Sequence, residues 1–504
     1  MTRYLVGLDI GTSGAKALLC DERGVVLATA TAEYALRQPR PLWSEQDPAD
    51  WWWGARTALQ AVLHSSGVAG PHLLGLGLTG QMHGATFLDL RDEVIRPAML
   101  WNDQRTAAEC AEITALVGFA RLIDIVGNPA LTGFQAPKLL WLRRHEPAAY
   151  ARVARVLLPK DYIRLKLTGV AATDAADAAG TLLLDLRSRN WSDDLLAALA
   201  IPRAWLPDVF EGPQVTGALL PEVAAQLGLP SGLPVIAGGG DNAAAAVGTG
   251  VVRSGVVSSS IGTSGVLFAH ADRIALDPSG RLHTFCHAVP GQYHLMAVTL
   301  SAGGSFQWLR NTLRGLGLPH LSYDALAELA ATAPIGAEGL LFLPYLSGER
   351  TPHLDPLARG AFVGLTARHT AAHMARAVLE GVVYSLRDGL EIMRGLGLPI
   401  TEIRATGGGA KSPLWRQLQA DIYATPLATL AAEEGPAYGA ALLAGVGAGL
   451  FADVGEAVAR CVSVAGITTP DPAAVERHAA FYAIYRSLYG QLHTSMAQLA
   501  ALAS

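Results

Sequence analysis

One pentapeptide occurs twice. Ile10-Gly11-Thr12-Ser13-Gly14 recurs as Ile261-Gly262-Thr263-Ser264-Gly265, 251 residues further along a chain of 504. Each copy follows a β-rich run, Tyr4-Leu5-Val6-Gly7-Leu8 in one case and Val256-Val257-Ser258-Ser259-Ser260 in the other, and each leads into a second apolar stretch. A strand, a Gly-Thr-Ser turn and a second strand make a hairpin. A repeat spaced by half the chain points to duplication, and so to two related α/β domains headed by the same hairpin. We place the first at residues 1–245 and the second at 246–504, ending in a helical tail around Val475 to Leu488.

The intervening sequence fits that layout. Leu74 to Thr79, Val235 to Gly239 and Ile403 to Gly407 each read as a buried strand ending in small residues, with helical patterns opening at Pro48 and running from Ala371 to Met393. Strands that end in glycine and feed helices place ligands at their carboxyl ends. Apolar residues make up 51% of the chain, which supplies two cores. The net charge of −5 argues against a general nucleic-acid or anionic-membrane binder. The four cysteines lie far apart, with no CxxC pair, so neither a disulfide framework nor a structural zinc site is expected. The chain runs from Met1 directly into a strand, leaving no room for a leader, and its longest weakly polar run, Gly439 to Ala452, is too short to span a bilayer. A soluble cytoplasmic protein is the expectation.

Five segments carry candidate chemistry. In Asp9-Ile10-Gly11-Thr12-Ser13-Gly14, glycines admit a phosphate to the backbone, amides and hydroxyls hold its oxygens, and Asp9 stands where a carboxylate holds Mg²⁺; the plainer reading is a Gly-rich turn. The second copy, Gly262-Thr263-Ser264-Gly265, allows two such loops to grip a polyphosphate across a cleft. No GxxxxGK[ST] occurs, and no GxGxxG opens a helix after the first strand. Gly238-Gly239-Gly240-Asp241-Asn242 reads either as a bare floor presenting a proton-accepting carboxylate for phosphorylation of an alcohol, or as a helix N-cap. Thr79-Gly80-Gln81-Met82-His83-Gly84 offers ring nitrogens to hydroxyl groups beside an adaptable apolar wall, although a lone histidine is usually structural. Thr406-Gly407-Gly408-Gly409-Ala410-Lys411-Ser412 suits a nucleoside on bare backbone, or is a tight turn. Leu343 to Pro352 reads as a surface loop with a Glu349/Arg350 pair, or as a mobile loop at a cleft mouth.

Together these residues resemble the FGGY carbohydrate kinases, from Gly7 to about Leu443. Gly360 to Leu365, continuing through His373-Met374 to Ala377-Val378-Leu379-Glu380, is similar to the family's C-terminal signature, and Ala136 to Leu142 meets the N-terminal one. Gln135 departs from it, standing where Ser, Thr or Pro is usual, with an effect expected on packing near the cleft. The resemblance implies two actin-like, ribonuclease-H-like ATPase domains with an interdomain cleft, ATP and Mg²⁺ as cofactors, and a possible homodimer. It implies Asp241 as the catalytic base, with Met82, His83, Asp241 and Asn242 on the sugar, which binds the first domain. Gly11, Thr12, Ser13, Gly262, Thr263, Ser264, Gly408, Gly409 and Ser412 go to ATP, and Asp9 to the metal. Gln81-Met82-His83-Gly84 followed by Leu100-Trp101-Asn102-Asp103, in place of the Arg-Glu pair of glycerol kinases, is similar to members acting on D-xylulose; another ketose or polyol, such as ribulose or xylitol, is the sister reading. An ATP-gated regulatory protein on the same fold is the rival class, but the chain shows neither a DNA-binding helix-turn-helix before the first strand nor a peptide-binding domain after Leu443.

Overall fold

The computed structural model describes residues 2–68, 70–432 and 434–503; Met1 and Ser504, the outer limits of the two expected domains, lie outside them. The first sheet contains β1 (Tyr4–Ile10), β2 (Gly14–Asp21), β3 (Val26–Glu33), β4 (Leu73–Gly80), β5 (Val215–Ala218) and β6 (Pro234–Ile236), in the order β5-β6-β4-β1-β2-β3. The second contains β7 (Gly255–Ile261), β8 (Gly265–Ala271), β9 (His283–Cys286), β10 (Tyr293–Thr299), β11 (Ile400–Gly407), β12 (Leu427–Leu430) and β13 (Val464–Thr468), in the order β9-β10-β8-β7-β11-β12-β13. Apart from the extra edge strand β9, and a short Gly239–Gly240 strand paired with β4 in the first sheet, the two sheets match pair for pair. Both run antiparallel through the hairpin and its neighbour, parallel through the next two strands, and antiparallel again at the edge. Register agrees as well: β1 sets Asp9 and Ile10 opposite Thr79 and Gly80, and β7 sets Ser260 and Ile261 opposite Thr406 and Gly407. The duplication read from one pentapeptide is thus a duplication of the whole sheet.

The two hairpins are nevertheless not copies. The first closes with the Gly11 amide on the Gly14 carbonyl (3.1 Å), the second with the Gly262 amide on the Ser264 carbonyl (3.0 Å). Ile10 therefore pairs with Ala15, whereas Ile261 pairs with Gly265.

Seven helices frame the site: α1 (Pro48–Ser66), α2 (Gln135–His145), α3 (Asp241–Gly248), α4 (Ala371–Gly395), α5 (Pro413–Tyr423), α6 (Pro436–Gly447) and α7 (Pro472–Ala503). Helix α1 starts as its sequence predicts, with Pro48 in the first turn and the Asp47 carboxylate accepting from the Ala49 amide. Helix α6 comes from the second half of the chain yet seats on β1 and β4 of the first sheet. Only glycine permits this approach. A Cβ on Gly7 would lie 1.8 Å from the Ala437 carbonyl oxygen, and one on Gly77 1.9 Å from that of Ala440. On its other side α6 crosses α3, where a Cβ on Gly439 would lie 1.8 Å from the Ala244 oxygen. Lys16 of β2 adds an ion pair to Glu434, just ahead of α6 (2.9 Å). Among the described residues, no helix is long and apolar enough to cross a membrane, and the four cysteines are free thiols.

Because the colliding atoms at Gly439 are backbone, Gly439→Ala should destabilise at or beyond the upper end of the roughly 1–3 kcal/mol typical of overpacking. Gly315→Ala, with nothing within 4 Å of its Cβ, should be near neutral. Urea denaturation midpoints of the two variants check this.

Candidate active site

The floor of the cleft is built by a strand that stops early. Strand β6 ends at Ile236, because Gly238 takes φ +81°, in the left-handed region, and a Cβ there would lie 1.8 Å from the Leu78 carbonyl. Gly239 and Gly240 then pair with Thr79 and Gly80, and α3 begins. Gly240 is the N-cap, so Asp241 stands inside the first turn and the N-cap reading does not hold. Its Oδ1 accepts from the Asn242 amide (2.7 Å) and from Asn242 Nδ2 (2.9 Å). Burial pushes the Asp241 carboxyl up to about 6, against the pull of these two bonds.

Beside the floor, β4 delivers Met82 and His83. His83 holds φ +68°, a conformation unusual for a non-glycine residue, and its Nδ1 donates to the Gly180 carbonyl. Burial lowers the ring to about 3, so it is neutral and presents Nε2 as an acceptor. Helix α2 clamps this loop from behind. Lys138 Nζ donates to the carbonyls of His83 (2.8 Å) and Gly133 (2.6 Å), and Gln135 Nε2 donates to that of Gly84 (2.8 Å). The departure at Gln135 therefore supplies a donor to the backbone of the 79–84 loop.

Met82, His83, Asp241 and Asn242 share one cavity of about 250 Å³. The second half of the chain closes it with Ser264, His283, Phe285 and Arg350, so the cavity is walled by both halves of the chain. Sequence reasoning passed over Phe134, His283 and Phe285, whose rings lie 5.7–6.2 Å from one another; Gly133 and the adjoining N-terminal signature were a signal for Phe134, whereas no glycine or motif adjoins His283 and Phe285. The Leu343 to Pro352 segment is no surface loop. Glu349 is 3% exposed, and its carboxylate accepts from Thr299 Oγ1 (2.5 Å), the Leu300 amide (3.0 Å) and the Arg350 amide (2.7 Å).

A second cavity, about 570 Å³, lies on the other side of the Gly262–Ser264 loop. Gly262, Thr263, Gly408 and Ser412 line it as the sequence suggests. Gly409 sits beneath, packed on Ile261, where a Cβ would come within 2.7 Å of the Ile261 side chain. Further walls come from Phe306 and Trp415, 5.7 Å apart, and from Arg310, whose guanidinium lies 3.8 Å from the Tyr323 ring centroid. The Gly303-Gly304 pair, whose amides hold the Gly262 and Thr263 carbonyls (2.8 and 3.0 Å), was the legible signal for this wall.

In the first loop, Thr12 Oγ1 donates to Gln81 Oε1 (3.2 Å) and accepts from Trp101 Nε1 (2.9 Å), while Ser13 is exposed. Asp9 lies near the end of β1. Its Oδ1 is buried with no partner among the described residues, and burial, reinforced by Asp241 and opposed by Lys16, raises its carboxyl to about 7. An orphaned carboxylate oxygen of this kind fits a cation. Ser264 lines the smaller cavity and Thr263 the larger, so one loop separates the two spaces.

Residues 4–248 match the FGGY family of carbohydrate kinases, N-terminal domain, and residues 257–448 its C-terminal domain. The chain belongs to the FGGY carbohydrate kinases. It is similar to a xylulose kinase of Escherichia coli K12, 47% identical over 444 residues that cover 88% of this chain and 90% of the relative. Among solved structures it is similar to a xyloylose kinase from Brucella ovis (39% identity, TM-score 0.91, 98% and 100% covered) and a gluconate kinase from Lactobacillus acidophilus (28%, TM-score 0.94, 99% and 100% covered). As an FGGY kinase it is a phosphotransferase that carries a phosphoryl group from ATP to a sugar alcohol group.

Lys138→Met leaves the His83 and Gly133 carbonyls unpaired at about 1–3 kcal/mol each. Steady-state kinetics should show the KM for the sugar raised about tenfold or more, with the KM for ATP unchanged.

Proposed function

We propose that this FGGY kinase phosphorylates D-xylulose at the C5 hydroxyl, giving D-xylulose 5-phosphate and ADP. The observation that carries the reading is Asp241: a half-buried carboxyl raised to about 6, in the same cavity as Met82, His83 and Asn242 and beside the loop that separates the two cavities. The sugar-kinase relatives reported above support the choice of a ketopentose.

Asp241 accepts the C5 hydroxyl proton. Even at a pKa of about 6 it is a weak base toward an alcohol, so the proton moves late, once bonding to phosphorus has made the oxygen acidic. His83 Nε2 accepts a hydrogen bond from a sugar hydroxyl and Met82 packs on the carbon chain. Gly11, Thr12, Ser13, Gly262, Thr263 and Ser264 hold the phosphates, and Gly408, Gly409 and Ser412 form the nucleoside side. Asp9 would hold Mg²⁺, which would neutralise charge on the phosphates; among the described residues no cluster of three or more His, Cys, Asp or Glu forms a metal cage. Closure of the cleft excludes water, the competing nucleophile. A cytoplasmic, homodimeric enzyme completes the proposal, both on the strength of family likeness.

Asp241→Asn should lower kcat about 10²–10⁴-fold. In the unmodified enzyme, kcat/KM should fall tenfold per pH unit below about 6, as Asp241 takes up a proton. Stability moves the opposite way. A carboxyl raised from 3.8 to about 6 on folding binds more protons folded than unfolded between those values, so its contribution declines as pH rises from 3.8 to about 6. Asp241→Asn should therefore raise Tm at pH 7.5, and the gain should vanish near pH 4. A coupled assay over D-xylulose, L-ribulose, xylitol and D-gluconate tests the acceptor; equal or better kcat/KM on any of the other three overturns D-xylulose.

A further inference from the structure

Arg350 is a cation in the acceptor cavity with nothing of the protein's own to bind. Among the described residues its guanidinium makes no hydrogen bond or ion pair; only its backbone amide is engaged, on Glu349 Oε1. Its neighbour Glu349 attracts it through space but makes no bond to the guanidinium, because the hydrogen bonds of that carboxylate go to Thr299, Leu300, Ser385 and the Arg350 amide. Burial lowers the guanidinium's proton affinity.

The backbone around it is fixed. Glu349 exchanges backbone hydrogen bonds with Asp355 (2.8 and 2.9 Å), and the Leu354 amide holds the Arg350 carbonyl (2.8 Å). Thr351 bonds Val298 through its amide (3.0 Å), and its hydroxyl donates to the Arg281 carbonyl (2.7 Å). A strap pinned on both sides holds an unpaired guanidinium against the cavity that contains Met82, His83, Asp241 and Asn242. Leaving a charge desolvated and unpaired is costly, and the cost is recovered where a ligand supplies the partner.

The position of Arg350 along the cavity is marked by its neighbours. Its charge bears on His83 and His283, while Asp241 answers to burial and Asn242. Both histidines are oriented. Asn128 donates through Nδ2 to two backbone carbonyls (2.9 and 2.8 Å), so its Oδ1 accepts from His283 Nδ1 (2.7 Å), as the Gly180 carbonyl does from His83 Nδ1. Each ring therefore turns an accepting Nε2 toward the cavity. The cavity thus offers one fork of donors and two acceptors.

We propose that Arg350 is a specificity residue that binds the C2 carbonyl oxygen of the ketose, with the flanking hydroxyls donating to His83 and His283. The inference rests on the ketose-kinase reading and deepens it. A carbonyl oxygen only accepts and suits the guanidinium fork. A pentitol carries an O–H at C2 that needs a third acceptor, so the same site disfavours it.

The test compares D-xylulose with xylitol, which differs only at C2, using kcat/KM for the ketose and Ki for the pentitol as competitive inhibitor. Arg350→Met should lower kcat/KM for D-xylulose about 100-fold, leave Ki for xylitol within about threefold, and leave the KM for ATP unchanged. Because an unpaired buried charge is removed, Tm should hold or rise. Arg350→Lys, which keeps a donor, should recover part of the D-xylulose activity. Equal losses for ketose and pentitol, or a lowered Tm with both variants, overturn the proposal in favour of a packing role. Unmodified enzyme inactive on D-xylulose sinks the acceptor reading itself. Activity on D-gluconate in its place, lost in Arg350→Met, gives the guanidinium a carboxylate partner and overturns the carbonyl assignment.

Discussion

Contact between bare backbones holds the two halves in register. Helix α6 lies on β1 and β4 closely enough that its carbonyls occupy the space where side chains at Gly7 and Gly77 would be, and α3 meets its opposite side at Gly439. Nothing in that seam is adjustable by rotamer, since every colliding atom is main chain. Helix α3 begins with Asp241, and α6 begins just after Glu434, the partner of Lys16. The relative placement of Asp241, the first Gly-Thr-Ser loop and the second half of the chain follows from this one packing arrangement.

On that frame, burial does most of the chemical tuning. The same low-dielectric cleft raises Asp9 and Asp241 and lowers His83, so the carboxyls sit nearer neutrality and the imidazole is a pure hydrogen-bonding group. Backbone carbonyls do the orienting: Gly180 sets the His83 tautomer, and Lys138 and Gln135 fix the loop that carries it. The proposed roles follow from this: the histidine to read hydroxyl groups, the carboxylate of Asp241 to take the proton.

Much of the fold is legible in the chain because duplication leaves a local mark. The repeated Ile-Gly-Thr-Ser-Gly foretells two matching sheets, and glycines after apolar runs mark the strand ends at Gly80, Gly240 and Gly407. Asp241, Met82 and His83 stand next to such glycines and are found by them. The opposite wall is not legible. His283 and Phe285 lie on an edge strand, and nothing local says that this strand faces a cavity; only the pairing of β9 with β10 brings it there. Arg350 is misread for a related reason. Glu349-Arg350 looks like a surface ion pair by adjacency, but the carboxylate is claimed by Thr299 and Leu300, fifty and forty-nine positions away in the chain, and the guanidinium is left to the cavity. Asp241 as an N-cap fails by one residue, because Gly240 takes that place.

The two hairpins raise a different matter. Their five residues are identical, yet one turn closes two residues wide and the other one residue wide. The difference must come from what surrounds each: Gln46, Gln81 and Trp101 gather around Thr12, whereas the start of the Gly303–Gly315 helix docks under Gly262 and Thr263. A gene that doubled thus acquired two unlike tools without rewriting this segment. The environment, not the peptide, assigned one copy to an internal network and the other to the divide between two cavities. Transplanting either pentapeptide into the other position would exchange nothing, and efforts to redesign how this enzyme grips its donor belong in the flanking residues.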